Sequence, residues 1–380
     1  MCSGLINITI KLKTIKDNVF ILVSKEPFFF VTLFLTVVLS FFSIPHFGAV
    51  HWNVISTLFS LMIVCLAFER CNLLTSLAGA ALGKFTTPRR LGFAMIAATG
   101  LLSMFVTNDV ALLTVVPLTL AMSKVSGKDP YMLIILETLS ANIFSALTPF
   151  GNPQNLYIYS YFKITPGEFI FIMLPFCIIG LIVLCSANFF FNKGGEYKVS
   201  QQTFAVYDKR LLIVSSAAFA INILSVLHIV DYRIAFIITL AVFLILAPKL
   251  ILKADYFLLA TFVLFFLFTD SITGIPQIKS LFSTILGSKH AVFLATAGIS
   301  QVISNVPASV LISGFTNNYK QLLYGVSVGG LGTLVASLAS LISYNLYIKQ
   351  YKAQKYLKTF SAMSFGALMI IAAVLCLCFI

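Results

Sequence analysis

The chain has 380 residues, 59% of them apolar and 10% charged, with a mean hydropathy of +1.02. A soluble domain averages about 45–50% apolar and about 25% charged residues, so a cytosolic enzyme or a nucleic-acid-binding protein is excluded. The net charge of +13 then reports the cytoplasmic loops of a membrane protein, with no nucleic-acid partner. A crossing takes roughly 20 residues, which leaves room for about nine to twelve helices and predicts one all-α polytopic membrane domain in the lipid bilayer.

Residues 5–23 alternate Ile, Leu and Val with Lys11, Lys13 and Lys16. This reads either as an amphipathic helix on the cytoplasmic membrane face or as a frayed tail. The first long apolar run begins at Phe28, too late for a cleaved signal peptide. Unbroken or nearly unbroken apolar runs follow at about 28–44, 50–68, 131–163, 168–191, 211–227, 234–247, 256–269, 321–347 and 358–380. Two more, 91–123 and 291–316, are interrupted by Thr107-Asn108-Asp109 and Ser304-Asn305-Val306-Pro307. A straight helix would leave those polar groups in hydrocarbon. A re-entrant hairpin buries them at its tip, where irregular backbone is tolerated inside protein.

The distribution of charge tests this reading. With the N-terminus inside, nine crossings and two hairpins, 20 of the 25 Lys and Arg face the cytoplasm. Only Lys163, Arg233, Lys279, Lys289 and Lys320 face out. Converting one hairpin into a crossing reverses every later loop and removes the asymmetry that the positive-inside rule requires. The predicted location is therefore the cytoplasmic membrane, multi-pass, with the first hairpin dipping from inside and the second from outside.

The two broken runs resemble each other. Residues 98–111 and 295–308, 197 apart, share Ala, Thr, Ser, Asn and Ala, and Thr107 faces Ser304. Each is preceded and followed by two crossings. The first crossing after each has its own break, Thr148-Pro149-Phe150-Gly151-Asn152-Pro153-Gln154-Asn155 in one half and Gly329-Gly330-Leu331-Gly332-Thr333 in the other. The expected organisation is an interfacial segment (1–27), a first repeat (28–192), a linker with one helix (193–230) and an inverted second repeat (231–380). Inverted halves with discontinuous helices meeting near the midplane are the plan of secondary transporters.

Ser103 and Thr107, four apart, share a helix face, and Asn108 follows at the turn; Ser300, Ser304 and Asn305 repeat the spacing. Neutral oxygens beside unwound carbonyls suit a monovalent cation such as Na⁺. The helix N-termini at the same breaks, with partial positive charge and free N–H groups, suit an anion. Candidate substrate contacts are thus Thr107, Asn108, Asp109, Thr148, Pro149, Asn152, Asn155, Ser304, Asn305, Val306 and Thr333. Asp109 is an acid at a predicted midplane break, hence a proton or cation carrier by default, or else a cap on the returning helix. Glu137 is a second carrier candidate, either buried or reaching water at the inner end of its span.

His46, His51, His228 and His290 fall in outer loops or at span ends, which removes an intramembrane metalloenzyme. No Ser–His pairing or Gly-x-Ser-x-Gly motif points to an intramembrane protease, so no catalytic residue, metal or cofactor is expected beyond Na⁺ or H⁺ as coupling ion. The seven cysteines read as small apolar packing residues. A channel should carry polar residues along whole helix faces, whereas here they are confined to four breaks.

At Thr107-Asn108-Asp109-Val-Ala-Leu-Leu, Ala141-Asn142, Thr148-Pro149-Phe-Gly151-Asn152-Pro153-Gln154-Asn155 and Ser304-Asn305-Val306-Pro307 the chain resembles the ion transporter superfamily. That group includes divalent anion/sodium symporters, citrate transporters, arsenite permeases and related sodium/proton antiporters. The resemblance implies an inverted-repeat, often dimeric, elevator-type carrier. Carried over, Ser103, Thr107, Asn108 and the backbone near Gly151 form one cation site. Ser300, Ser304, Asn305 and the backbone near Gly332 form the other. The sodium symporters carry Thr at the third position of each tip, where this chain has Asp109 and Val306; the Asn-Asp pair is closer to the arsenite-permease branch. The expected function is cation-coupled secondary transport of a small anion, organic or inorganic. The alternative is an arsenite-type permease or a sodium/proton exchanger of the same fold, with Asp109 as carrier.

Overall fold

The computed structural model describes residues 27–82, 87–192 and 208–380, and all the regular secondary structure in them is helical. The segment expected to be amphipathic (5–23) and the first part, 193–207, of the expected 193–230 linker lie outside the described residues. In chain order the helices are α1 (Pro27–Ser40), α2 (Trp52–Arg70), α3 (Leu73–Leu82), α4 (Pro88–Phe105), α5 (Asn108–Ser126), α6 (Tyr131–Phe144), α7 (Pro153–Tyr161), α8 (Pro166–Phe191) and α9 (Lys209–Val226). There follow α10 (Tyr232–Leu246), α11 (Pro248–Ile251), α12 (Tyr256–Thr273), α13 (Pro276–Ile285), α14 (Lys289–Ile303), α15 (Asn305–Ser313), α16 (Tyr319–Gly329), α17 (Leu338–Ile348) and α18 (Ala353–Cys378).

Six of these, α2, α5, α8, α9, α12 and α18, are long and apolar enough to cross a bilayer. Helix formation is what lipid demands of such sequences, because a helix satisfies its backbone groups within one segment. The boundaries follow local chemistry. Pro153 and Pro166 open α7 and α8 at a position where a missing N–H costs nothing. Asp208, Asp231, Asp255 and Ser288 each accept a backbone N–H at the start of α9, α10, α12 and α14. Gly127, at φ +66°, closes α5. Helices α3 and α13 were not anticipated: at 10 residues each they are too short to read as crossings. The fold is that of a polytopic helical membrane protein, as the hydropathy predicts.

The chain divides into two compact units. In the smaller one, the described residues 27–51 combine with 255–279; α1 packs on α12, with Phe29 edge-on to Phe257 at 5.4 Å. The larger comprises 52–254 and 280–380 and contains every residue singled out above as a site candidate. Within it the two halves of the chain are paired in a repeating way. The first limb of each hairpin packs on the first half of its own broken helix, α4 on α6 and α14 on α16. The second limb of each packs on the second half of the other broken helix, α5 on α17 and α15 on α7.

Candidate functional site

Both interrupted runs are helix–turn–helix hairpins, and both following crossings are broken. The run 131–163 splits into α6 and α7 around 148–152, and the run 321–347 into α16 and α17 around 330–337. Each hairpin lies against the break in its own half through two matched hydrogen bonds, and a third matched bond closes each break on itself. Asn108 N–H donates to Gly151 O at 3.1 Å, and Asn305 N–H to Ala336 O at 3.0 Å. Thr148 Oγ1 donates to Met104 O at 2.6 Å, and Thr333 Oγ1 to Gln301 O at 3.0 Å. Gly151 N–H donates to Thr148 O at 3.4 Å, and Ala336 N–H to Thr333 O at 3.2 Å. The hairpin members are 197 apart and the break members 185 apart in every case. The repeat read in the sequence therefore recurs in these three bonds.

The first tip is built on extended backbone. Val106 and Thr107 leave the helical region, and α5 restarts at Asn108 with Thr107 in the N-cap position. Asn108 is buried; its Nδ2 donates to Asn142 Oδ1 at 3.1 Å and its Oδ1 accepts from Asp109 N–H at 3.1 Å. Asp109 stands in the first turn of α5 rather than at its cap. An acid there interacts favourably with the helix dipole; the cap position, the alternative reading of Asp109, is held by Thr107. Ser103 is buried on α4 with its hydroxyl turned back to Gly100 O. Its carbonyl and that of Ser145 converge on Gly151, at 2.9 and 2.2 Å from where a Cβ would lie, so only glycine fits.

In the break itself Asn152 caps α7, accepting the Asn155 N–H at 3.0 Å, while its Nδ2 reaches Ser145 Oγ at 3.2 Å. Asn155 Nδ2 donates to Ala146 O at 3.2 Å. Asn152 and Asn155 are buried with Pro149, and Thr148 is half-buried. This is why a Gly-Asn-Pro-Gln-Asn stretch belongs here. Unwound carbonyls and a helix start buried together need side-chain amides to satisfy them.

The second tip is tighter. Ser304 adopts φ +73°, ψ +156°, a region almost confined to glycine and costing roughly 1–3 kcal/mol. Its Oγ donates to Ala336 O at 3.3 Å. Asn305 and Val306 are buried at the start of α15, and Ser300 is buried with its hydroxyl on Thr296 O. Gly332 is buried in the break and Thr333 half-buried beside it.

The two assemblies are joined by a residue not among the predicted contacts. Asn142 Oδ1 accepts from Asn108 Nδ2 and from Ser337 Oγ at 2.9 Å, and its Nδ2 donates to Ser340 Oγ at 3.0 Å. One buried amide therefore ties the first tip to the second break. On the other side Tyr157 on α7 shares a 2.6 Å hydrogen bond with Ser313 on α15. Asn142 was legible as an isolated amide in an apolar run; Ser337, Ser340 and Gln301 carried no signal of that kind. Glu137 is not brought to the breaks. It is fully buried on α6, with Oε1 accepting from Thr119 Oγ1 at 2.5 Å, which decides its burial.

The arrangement brings four helix starts, α5, α7, α15 and α17, to the two tips and breaks. It surrounds them with hydroxyls, amides and main-chain carbonyls. The sequence carries the same assignment. Residues 19–321 match the model of the citrate transporter family. An uncharacterized transporter of Methanocaldococcus jannaschii is 35% identical over 305 residues, 79% of this chain and 82% of that protein. The inner membrane protein YbiR of Escherichia coli is 34% identical over 303 residues, 79% of this chain and 81% of its own length. A polytopic helical fold, paired broken helices and these relatives lead to one conclusion: the chain belongs to the citrate transporter family and is a multi-pass membrane transporter of the secondary type, not an enzyme.

Proposed function

We propose that the protein is a cation-coupled secondary transporter of a small anion, an organic carboxylate or an inorganic oxyanion. It works by alternating access of elevator type in the cytoplasmic membrane, with its N-terminus inside. The observation that carries this reading is the matched pair of hydrogen bonds between each hairpin and its break. Two like constructions, inverted in the membrane, give one binding region that can be presented to either side. The anion is held by hydroxyls, amides and the N-termini of α5, α7, α15 and α17. Thr107, Asn108, Thr148, Asn152, Asn155, Asn305 and Thr333 supply its polar contacts, and Pro149 and Val306 the apolar wall. The coupling cation, Na⁺ or H⁺, sits among Ser103, Thr107, Asn108 and the carbonyls at Gly151, with the Ser300–Ser304–Asn305–Gly332 group as the second candidate. The carrier works as a homodimer.

Asp109 favours a second reading, exchange coupled through the acid itself as in an arsenite-type permease or a sodium/proton exchanger. Thr107 already holds the cap position, so Asp109 has another reason to be in the first turn of α5. A thermal-shift screen of the purified protein against anions, in Na⁺ and with choline replacing it, tests the proposal. A transported anion at 100 times its Kd should stabilise by about 2.7 kcal/mol, and more in Na⁺ than in choline. No stabilisation by any anion in either salt, at pH 5 to 8, would count against anion transport and favour the exchanger.

A further inference from the structure

We propose that only the first break takes a coupling cation, and that Gln301 closes the second by filling the place a cation would occupy. The inference rests on the cation-coupled reading above and narrows it to one ion per cycle. A monovalent cation in such a carrier is held by main-chain carbonyls that unwinding has released. At the second break those of Gly329 and Leu331 are already engaged. Gln301 Nε2 donates to Gly329 O at 2.8 Å and to Leu331 O at 2.9 Å, and reaches Ala297 O at 3.2 Å. The other end of the same amide, Oε1, accepts from Thr333 N–H at 2.9 Å. Gly332, at φ +102°, lies so close that a Cβ there would sit 2.2 Å from Gln301 Oε1. The Ser300 carbonyl is taken as well, by Ser304 N–H at 3.1 Å. Ala336, whose carbonyl receives the Asn305 N–H, carries a methyl group.

The Gln301 and Ala336 side chains have no like in the first half, although the tip N–H bond does, since Asn108 N–H donates to Gly151 O. The counterpart of Gln301, 197 positions earlier, is Met104, whose thioether has no hydrogen to donate. The counterpart of Ala336 is Gly151, where the Ser103 and Ser145 carbonyls converge on a space smaller than a methyl group needs. At the first break the Ser103 and Ser145 carbonyl oxygens instead pack against Gly151, and the side-chain amide there, Asn155 Nδ2, takes a single carbonyl, that of Ala146. The second has spent its oxygens on a fixed amide donor. A side-chain N–H offsets the carbonyl dipoles as a cation would, but it is covalently held and cannot be carried or released.

Equilibrium binding of radioactive Na⁺ to the purified full-length protein in lipid nanodiscs, without added anion, tests this. The wild type should bind one Na⁺ per chain, and Asn108→Ala should weaken that binding at least tenfold. Gln301→Glu replaces the donor NH₂ by a carboxylate oxygen of the same shape. It should raise the count to two and make the melting temperature newly steep in Na⁺, which a purely structural residue would not do. Two Na⁺ per wild-type chain would overturn the inference and leave the cation-coupled reading standing. A folded Gln301→Glu protein that still binds one would overturn the stand-in role. No bound Na⁺ at all would overturn the Na⁺ reading of the first break itself. If Gln301→Glu does not fold, the wild-type count decides alone.

Discussion

Asn142 and Ser340 are 198 positions apart, yet the Asn142 Nδ2 donates to the Ser340 Oγ at 3.0 Å. With Asn108 and Ser337 on its Oδ1, the Asn142 amide makes three buried contacts to two helix starts, those of α5 and α17. It couples the first hairpin to the second broken helix, so the two cannot separate without exposing unpaired polar groups.

Asn142→Leu keeps much of the volume and removes all three bonds. Leaving buried partners unsatisfied costs about 1–3 kcal/mol each, so the variant should melt measurably lower than the wild type. Transport should fall further than stability, because the relative placement of the two breaks is lost. A variant with wild-type melting temperature and wild-type flux would show that the Asn142 network is idle.

Gly151→Ala places a methyl group 2.2 Å from the Ser145 carbonyl oxygen and 2.9 Å from that of Ser103. Both are backbone atoms and cannot swing away, so overpacking of about 1–3 kcal/mol is expected. The displaced carbonyls should abolish cation-dependent stabilisation while the protein still folds. The reciprocal change, Ala336→Gly, meets no such contact and should leave the melting temperature within a few degrees. Melting curves of both variants with and without Na⁺ provide the check.

Asp109→Asn keeps size and much of the hydrogen bonding but cannot titrate. If Asp109 carries a proton or cation, coupled flux in reconstituted vesicles should collapse and the pH dependence of the residue that remains should flatten. If the carboxylate serves only the helix start, activity should stay within a few-fold with its pH profile intact, since a first-turn acid contributes only about 0.3–1 kcal/mol through the helix dipole. The first outcome is expected.

The orientation predicted from charge is open to labelling. Single cysteines introduced as Ser126→Cys and Tyr197→Cys, in a background free of other reactive thiols, should be shielded from an impermeant thiol reagent in intact cells. They should become reactive on permeabilisation. Ready labelling of both from outside would reverse the topology.

The hydropathy by itself determined the class and the places where the long apolar runs break. It could do so because a helix in lipid satisfies its backbone within about 20 consecutive residues, which makes a crossing a local property of the chain. The tip motifs were legible for a related reason. Thr107-Asn108 and Ser304-Asn305 recur at one fixed spacing, and a polar cluster inside an apolar run has few places to go. Only the tertiary structure decided what those clusters bond to. That Asn142 reaches Ser337 and Ser340, that Glu137 is enclosed away from the breaks, and that Gln301 rather than a vacant space faces Gly329 and Leu331 all depend on contacts between residues far apart in sequence. An amide in an apolar run announces that it must find partners; which partners it finds is set by how α4, α6, α14, α16 and α17 pack.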